Sequence, residues 1–127
     1  MEVWIFGNED YRPDSLPLKI QPTLKKLFPQ INFIVQDHNE NWQLPNKLFI
    51  IDTVAGIKDV TTFDSLDNFI NSQSLTTHDF DLALKLQWLN KLKKLPPFLI
   101  IGIPMKITKA TALKKIKVIL KRLINGI

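Results

Sequence analysis

Val3-Trp4-Ile5-Phe6-Gly7-Asn8, at the start of the chain, is the stretch whose reading decides the fold. Four apolar, strand-favouring residues stop at a Gly-Asn pair. A polar loop follows as far as Pro13, and a carboxylate, Asp14, stands just before Ser15 and an apolar-periodic segment. A buried strand, a loop and a helix in that order begin a βαβ unit. In an open α/β sheet the end of such a strand faces the crevice where ligands bind. The functional site is expected there.

Outward from that turn, Leu16, Ile20, Leu24 and Leu27 recur at helical spacing up to Pro29. Pro17 suits the first turn of this helix, where a missing backbone N–H does no harm. Pro22 predicts a kink, or a helix that starts only after Gln21. Ile31 to Val35 and Lys47 to Ile51 read as the second and third strands. The second runs into Gln36-Asp37 and His38-Asn39-Glu40-Asn41, and the third ends at Asp52. Strands alternating with a helix or loop predict a parallel sheet. Asp14, Asp37 and Asp52 then follow strands at one rim. Carboxylates gathered in one crevice repel one another, and a bound cation is one common way to relieve this.

Further on, Thr61 to Asp67 reads as a short edge strand and Asn71 to Thr77 as polar loop. A long helix is predicted from about Asp79 to Lys94, with Leu82, Leu86, Trp88, Leu89 and Leu92 on a broad apolar face and Thr76 or Thr77 as its cap. His78 would sit at its N-terminus, where the helix dipole disfavours the imidazolium and keeps the ring neutral and able to bind a metal. Pro96-Pro97 ends the helix. Phe98 to Ile103 is an unbroken apolar run, expected to be buried on both faces at the centre of the sheet. The last helix, about Lys109 to Ile124, turns Leu113, Ile116, Leu120 and Leu123 inward. Trp4, Trp42 and Trp88 read mainly as packing.

The 127 residues, 45% of them hydrophobic, suit one domain spanning residues 1–127 with one core. The absence of cysteine excludes a thiol nucleophile, a thiolate metal site and a disulfide framework. A metal would need His and carboxylate ligands. The first apolar run has no basic region before it, and no apolar stretch approaches the ~20 residues that span a bilayer. A soluble, cytoplasmic protein with no membrane partner is expected. The formal charge of +5 is unevenly spread: every Asp and Glu lies at or before Asp81, while Leu82 to Ile127 carries eleven Lys and Arg. Such a segment is a solvated helical surface, or a docking face for an acidic partner or nucleic acid. The final helix lacks aromatics interleaved with its basic residues, which argues against nucleic acid.

Four motifs in order are similar to those of the hydrogenase maturation endopeptidases: Gly7-Asn8 with Asp14, then Leu48-Phe49-Ile50-Ile51-Asp52, then Thr76-Thr77-His78-Asp79-Phe80, then Ile101-Gly102-Ile103-Pro104. The resemblance covers nearly the whole chain. It implies an α/β fold, a phosphorylase/hydrolase-like three-layer αβα sandwich on a mostly parallel five-stranded sheet with one antiparallel strand. The implied activity is removal of the C-terminal peptide of a nickel-iron hydrogenase large subunit precursor once its metal centre is assembled. By motif position, the implied metal-recognition residues are Asp14, Asp52 and His78, with a further family Asp at Asp37. The implied metal is nickel presented by the substrate; zinc or another divalent ion could take the same donors in isolation. Asp14 and Asp37 are the carboxylates expected to serve the cleavage itself. Asp14 stands where Glu is more usual, and His38-Asn39-Glu40 replaces a frequent Gly-Gly-Thr.

Each residue also has a plainer reading. Asp14 could cap the first helix, Asp52 could begin a turn, and His78 could be a capping or surface histidine. One His and two carboxylates form a donor set suited to zinc, nickel or iron with open positions, as a metal shared with a substrate requires. A serine triad of Ser15, His78 and Asp52 is disfavoured because Ser15 lacks a Gly-x-Ser-x-Gly elbow. His38, Asp37 and Glu40 form either a second metal cluster or a solvated loop. Two other classes remain open: a non-proteolytic maturation chaperone or binding protein of the same fold, and an acidic-partner or nucleic-acid module using Lys109 to Arg122.

Overall fold

The computed structural model describes residues 1–7, 15–37, 41–72 and 77–126, with backbone alone for 77–81. In chain order the elements are β1 (Glu2–Ile5), α1 (Leu16–Leu27), β2 (Asn32–Val35), β3 (Leu48–Thr53), β4 (Thr61–Phe63), α2 (Leu66–Ser72), α3 (Thr77–Lys91), β5 (Phe98–Ile103) and α4 (Lys109–Asn125). The strands form one sheet in the order β2-β1-β3-β5-β4. β1, β2, β3 and β5 are parallel, and β4 runs antiparallel to β5.

Strand alternation divides the core into two halves. Val3, Ile5, Phe49, Ile51, Ile101 and Ile103 meet Ile20 and Leu24 of α1 and Ala112, Ile116 and Leu120 of α4. Their neighbours in the pleat, among them Trp4, Phe6, Leu48, Ile50 and Ile100, meet Phe69 of α2 and Leu82 and Leu86 of α3. Helices therefore cover both faces, giving the three-layer αβα sandwich. Each fully buried large apolar side chain contributes roughly 1.5–3 kcal/mol, so both layers are needed to hold the sheet. Among the described residues no helix is long and apolar enough to cross a membrane.

Several expectations need correction. The central strand is β3, buried at all six positions, and β5 lies between it and the edge strand β4. An unbroken apolar run reports burial on two faces, which both strands share, and says nothing about their order. Asp52 does not follow β3 but is its fifth residue, because backbone pairing with β5 continues through Thr53↔Ile103. The edge strand stops at Phe63, and residues 66–72 form a helix where a strand end and a loop were expected. Ser65 starts it, with its carbonyl accepting from Phe69 N at 3.0 Å and its hydroxyl from Asn68 N at 3.4 Å. α1 runs through Pro22, since Ile20 and Leu24 on either side are fully buried and Pro22 itself lies on the exposed face. α3 begins at Thr77 and ends at Lys91. Trp88 and Leu92 do not belong to its core face: they are 57% and 44% exposed.

Candidate active site

The parallel strands share a carboxyl edge, and the chain's path marks one place on it. From β1 the chain passes through α1 to β2 on one side, and then crosses to β3 on the other side of β1. The order of connection thus reverses between β1 and β3, and the crevice at such a switch point is where α/β sheets bind ligands. The ladder continues to this edge through Phe6 N to Ile51 O at 3.0 Å, Gln36 N to Ile5 O at 3.0 Å and Val54 N to Ile103 O at 2.9 Å.

Asp52 lies in the wall of this crevice. It is 7% exposed and stands on the same side of β3 as Leu48 and Ile50, the side covered by α2 and α3. Its Oδ1 accepts a hydrogen bond from Thr53 N at 2.9 Å, which fixes one oxygen of the carboxylate against its own strand. A buried carboxylate is costly unless charge or hydrogen bonds answer it, and the Thr53 N–H beside it is one such answer. Across the ladder Asp52 is in register with Gly102. A Cβ there would lie 2.9 Å from Val54 Cγ2 and 3.1 Å from Ile57 Cδ1 and Phe63 Cε2. Glycine therefore lets an apolar roof close beside the carboxylate. Thr53, the next residue, has a buried hydroxyl with no hydrogen-bond partner among the described residues. Such orphaned polar atoms are rare and favour places that ligands or water complete.

Asp37 follows β2 at the same edge and is exposed. It lies two strands from β3, about 10 Å across the sheet at the usual strand spacing, so it does not touch Asp52. Its carbonyl accepts from Trp42 Nε1 at 2.9 Å. Trp42 also packs edge-on against Trp4, with ring centroids 5.2 Å apart, and against Phe6 at 5.6 Å. The sequence reading of Trp4 and Trp42 as packing residues agrees with this. It missed that Trp42 anchors the backbone of Asp37, because nothing local signals a hydrogen bond made across a turn.

His78 belongs to the first turn of α3, as expected. α3 covers the face on which Asp52 stands, and its last residues lead to β5's amino end, where Leu48 N donates to Pro97 O at 2.9 Å. Its first turn therefore lies toward the carboxyl edge, in the layer of Asp52. The side chain of His78 and the whole of Asp14, His38 and Glu40 lie outside the described residues. Asp14 immediately precedes Ser15, the buried N-cap residue of α1, whose carbonyl accepts from Leu18 N and Lys19 N. Among the described residues no three His, Asp or Glu side chains gather closely enough to hold a metal ion. Beside Gly102, the connections after β3 and β5 enclose a cleft of about 320 Å³ lined by Ala55, Ile57, Lys58, Pro104, Met105 and Lys106.

No protein-family model matches the chain, and no curated protein sequence does. Solved structures do. The hydrogenase maturating endopeptidase HybD from E. coli superposes with a TM-score of 0.59 at 14% identity, covering 96% of this chain and 93% of its own. The solution structure of an endopeptidase from Escherichia coli gives 0.59 at 13% identity with the same coverages. An uncharacterized protein from Wolinella succinogenes gives 0.54 at 14% identity over 96% of this chain and 97% of its own. At such identities the likeness is one of fold, and it extends over almost the whole chain.

Proposed function

We propose that this chain is an endopeptidase that removes the C-terminal peptide of a nickel-iron hydrogenase large subunit precursor after nickel insertion. The observation that carries the reading is Asp52, a nearly buried carboxylate at the switch point of a sheet whose fold is shared with a hydrogenase maturating endopeptidase. The nickel is part of the substrate. Asp52, Asp14 and His78 complete its coordination, the two carboxylates as hard oxygen donors and the histidine as a nitrogen donor. The hydrogen bond from Thr53 N to Asp52 Oδ1 holds the carboxylate in place at the wall of the crevice. A precursor without nickel offers these residues nothing to grip, so cleavage waits for metal insertion. The cleft bordered by Lys58 and Lys106 gives an extended tail room at the same edge. Nickel near the scissile bond can polarise its carbonyl or activate water, and Asp37 or Asp14 is available to take up a proton.

The test is incubation of the purified chain with nickel-loaded and nickel-free precursor, followed by mass spectrometry of the large subunit. Loss of the C-terminal peptide from the loaded precursor alone is expected, with Asp52→Asn and His78→Ala inactive but folded. Binding of the loaded precursor without cleavage would favour the non-proteolytic chaperone. Cleavage that is independent of nickel, or unchanged in Asp52→Asn, would overturn the assignment of the site.

A further inference from the structure

α3 is apolar on two opposite sides. Leu82 and Leu86 are buried against the sheet and Leu89 is buried as well, while Leu84 and Trp88, on the far side of the helix, are 49% and 57% exposed. Leu92, in the turn that follows, extends the row and is 44% exposed. These three are spaced i, i+4 and i+8, so they form one ridge about 12 Å long on the outer surface of the layer. A helix on a soluble surface normally turns its second side to polar residues. Here the exposed ridge carries a tryptophan, the residue type most enriched at the centres of binding surfaces.

Charge indicates what covers it. At 100° per residue, Lys85 and Lys91 fall on either flank of the Leu84–Trp88 ridge. Lys85 Nζ stands 5.7 Å from the Trp88 ring centroid and 5.1 Å from that of Trp42. Lys93 and Lys94 follow the helix, and from Leu82 to the end of the chain there is no Asp or Glu. Beyond Leu92, Leu95 and Pro96 line a groove of about 590 Å³ whose walls include Leu66 and Phe98, with Lys47 and Asp64 as its charged residues. A second copy of this chain is a poor occupant. A two-fold contact would set these lysines against their own copies on molecules of net charge +5.

We infer that the outer ridge of α3, Leu84–Trp88–Leu92 with its flanking lysines, is a docking surface for an acidic amphipathic helix of a partner protein. The apolar ridge takes the partner's apolar side chains at i, i+3 or i+4, and Lys85 and Lys91 take its carboxylates. The ridge is on the outer side of α3, with Lys85 reaching Trp42 near the carboxyl edge, and its docking role does not depend on the chemistry proposed there.

The experiment is calorimetric titration of the full chain with a synthetic helical peptide that has leucines at i, i+3, i+4 and i+7 and glutamates elsewhere. A peptide with lysines in place of the glutamates is run beside it. The acidic peptide is expected to bind with a micromolar Kd that weakens as salt rises, and the basic one not to bind. Trp88→Ala should weaken binding at least tenfold and Trp88→Phe should restore most of it. Lys85→Glu with Lys91→Glu should weaken it as much and remove the salt dependence. Absence of peptide binding, or equal binding by Trp88→Ala, would overturn the inference. So would a dimer in sedimentation that Trp88→Ala dissociates, or Trp88-dependent binding confined to phosphatidylglycerol vesicles.

Discussion

α4 and α3 do the same structural task on opposite faces of one sheet, yet the fold explains nearly all of α4 and only half of α3. α4 buries Ala112, Ile116 and Leu120 at a spacing of four and gives most of its outer side to Lys114, Lys117, Lys121 and Arg122. Val118, at 47%, is its one large exposed apolar residue. Its start is fixed by Thr108, whose hydroxyl oxygen accepts from Thr111 N at 3.2 Å. α3 buries Leu82, Leu86 and Leu89 in the same manner but continues the apolar pattern round to its outer side. A sheet asks each covering helix for one apolar stripe. A second stripe answers to something else, and that difference separates residues kept for folding from residues kept for contact.

The most severe way to break the comparison is to empty the inner stripes. Leu86→Ala in α3 and Ile116→Ala in α4 each remove a side chain that is 0% exposed, and each should cost about 2–5 kcal/mol in urea unfolding. Equal losses would establish that the two layers are equivalent on their inner sides. A much smaller loss for Leu86→Ala would show that the α2/α3 layer collapses around the gap, and that α3 is less committed to the sheet than α4.

The same contrast explains what the sequence did and did not disclose. α4 was legible almost to the residue because its lysines mark the phase of its apolar stripe. In α3 leucines surround the helix, so periodicity has no phase, and a reading that turns Trp88 and Leu92 inward misplaces two exposed residues. β1 and β5 were legible because Gly7 and Pro96-Pro97 bound apolar runs, whereas the order of β3 and β5 depends on crossovers that no local pattern encodes. α2 was missed because Phe63 and Leu66, which lie on either side of a strand end and a helix start, are close enough to read as one short strand. A helix that starts only after Gln21 is not what forms, because the burial of Ile20 and Leu24 outweighs the loss of one intrahelical hydrogen bond at Pro22. Of the candidate residues, the place of Asp37 just beyond β2 followed from the strand end, whereas Asp52 lies inside β3 and the anchoring of Asp37 by Trp42 came into view only in three dimensions.

A gentler pair of substitutions sharpens the comparison on the outer sides. Thr108→Ala removes the cap of α4 and should cost about 1 kcal/mol. Trp88→Ala removes a much larger side chain from α3, yet thermal unfolding should place it within about 0.5 kcal/mol of the parent, because the ring is largely in solvent. A small polar residue then matters more to stability than a tryptophan. A loss above 2 kcal/mol for Trp88→Ala would mean that its contacts with Lys85 and the neighbouring surface hold the fold, and the ridge would no longer be spare.

The smallest effect concerns the tie between α4 and the loop after β3. Lys115 of α4 donates to Asp59 Oδ1, which also accepts from Val60 N at 2.7 Å. The Lys115 hydrogen bond first, and then that of Val60, hold the Asp59 carboxyl below its ordinary value of 3.8. A carboxylate whose folded pKa is depressed stabilises the fold fully above the unfolded value, and loses that contribution as pH falls through the lowered folded value. In thermal melts, Lys115→Met should therefore lie slightly below the parent at neutral pH, and the gap should narrow once the pH drops beneath 3.8. Both partners are exposed, so added salt should also shrink the gap. A gap that persisted in acid and in salt would assign the effect to packing of the Lys115 stem along α4. The outer side of α4 would then hold structure by apolar contact too, and its contrast with α3 would weaken.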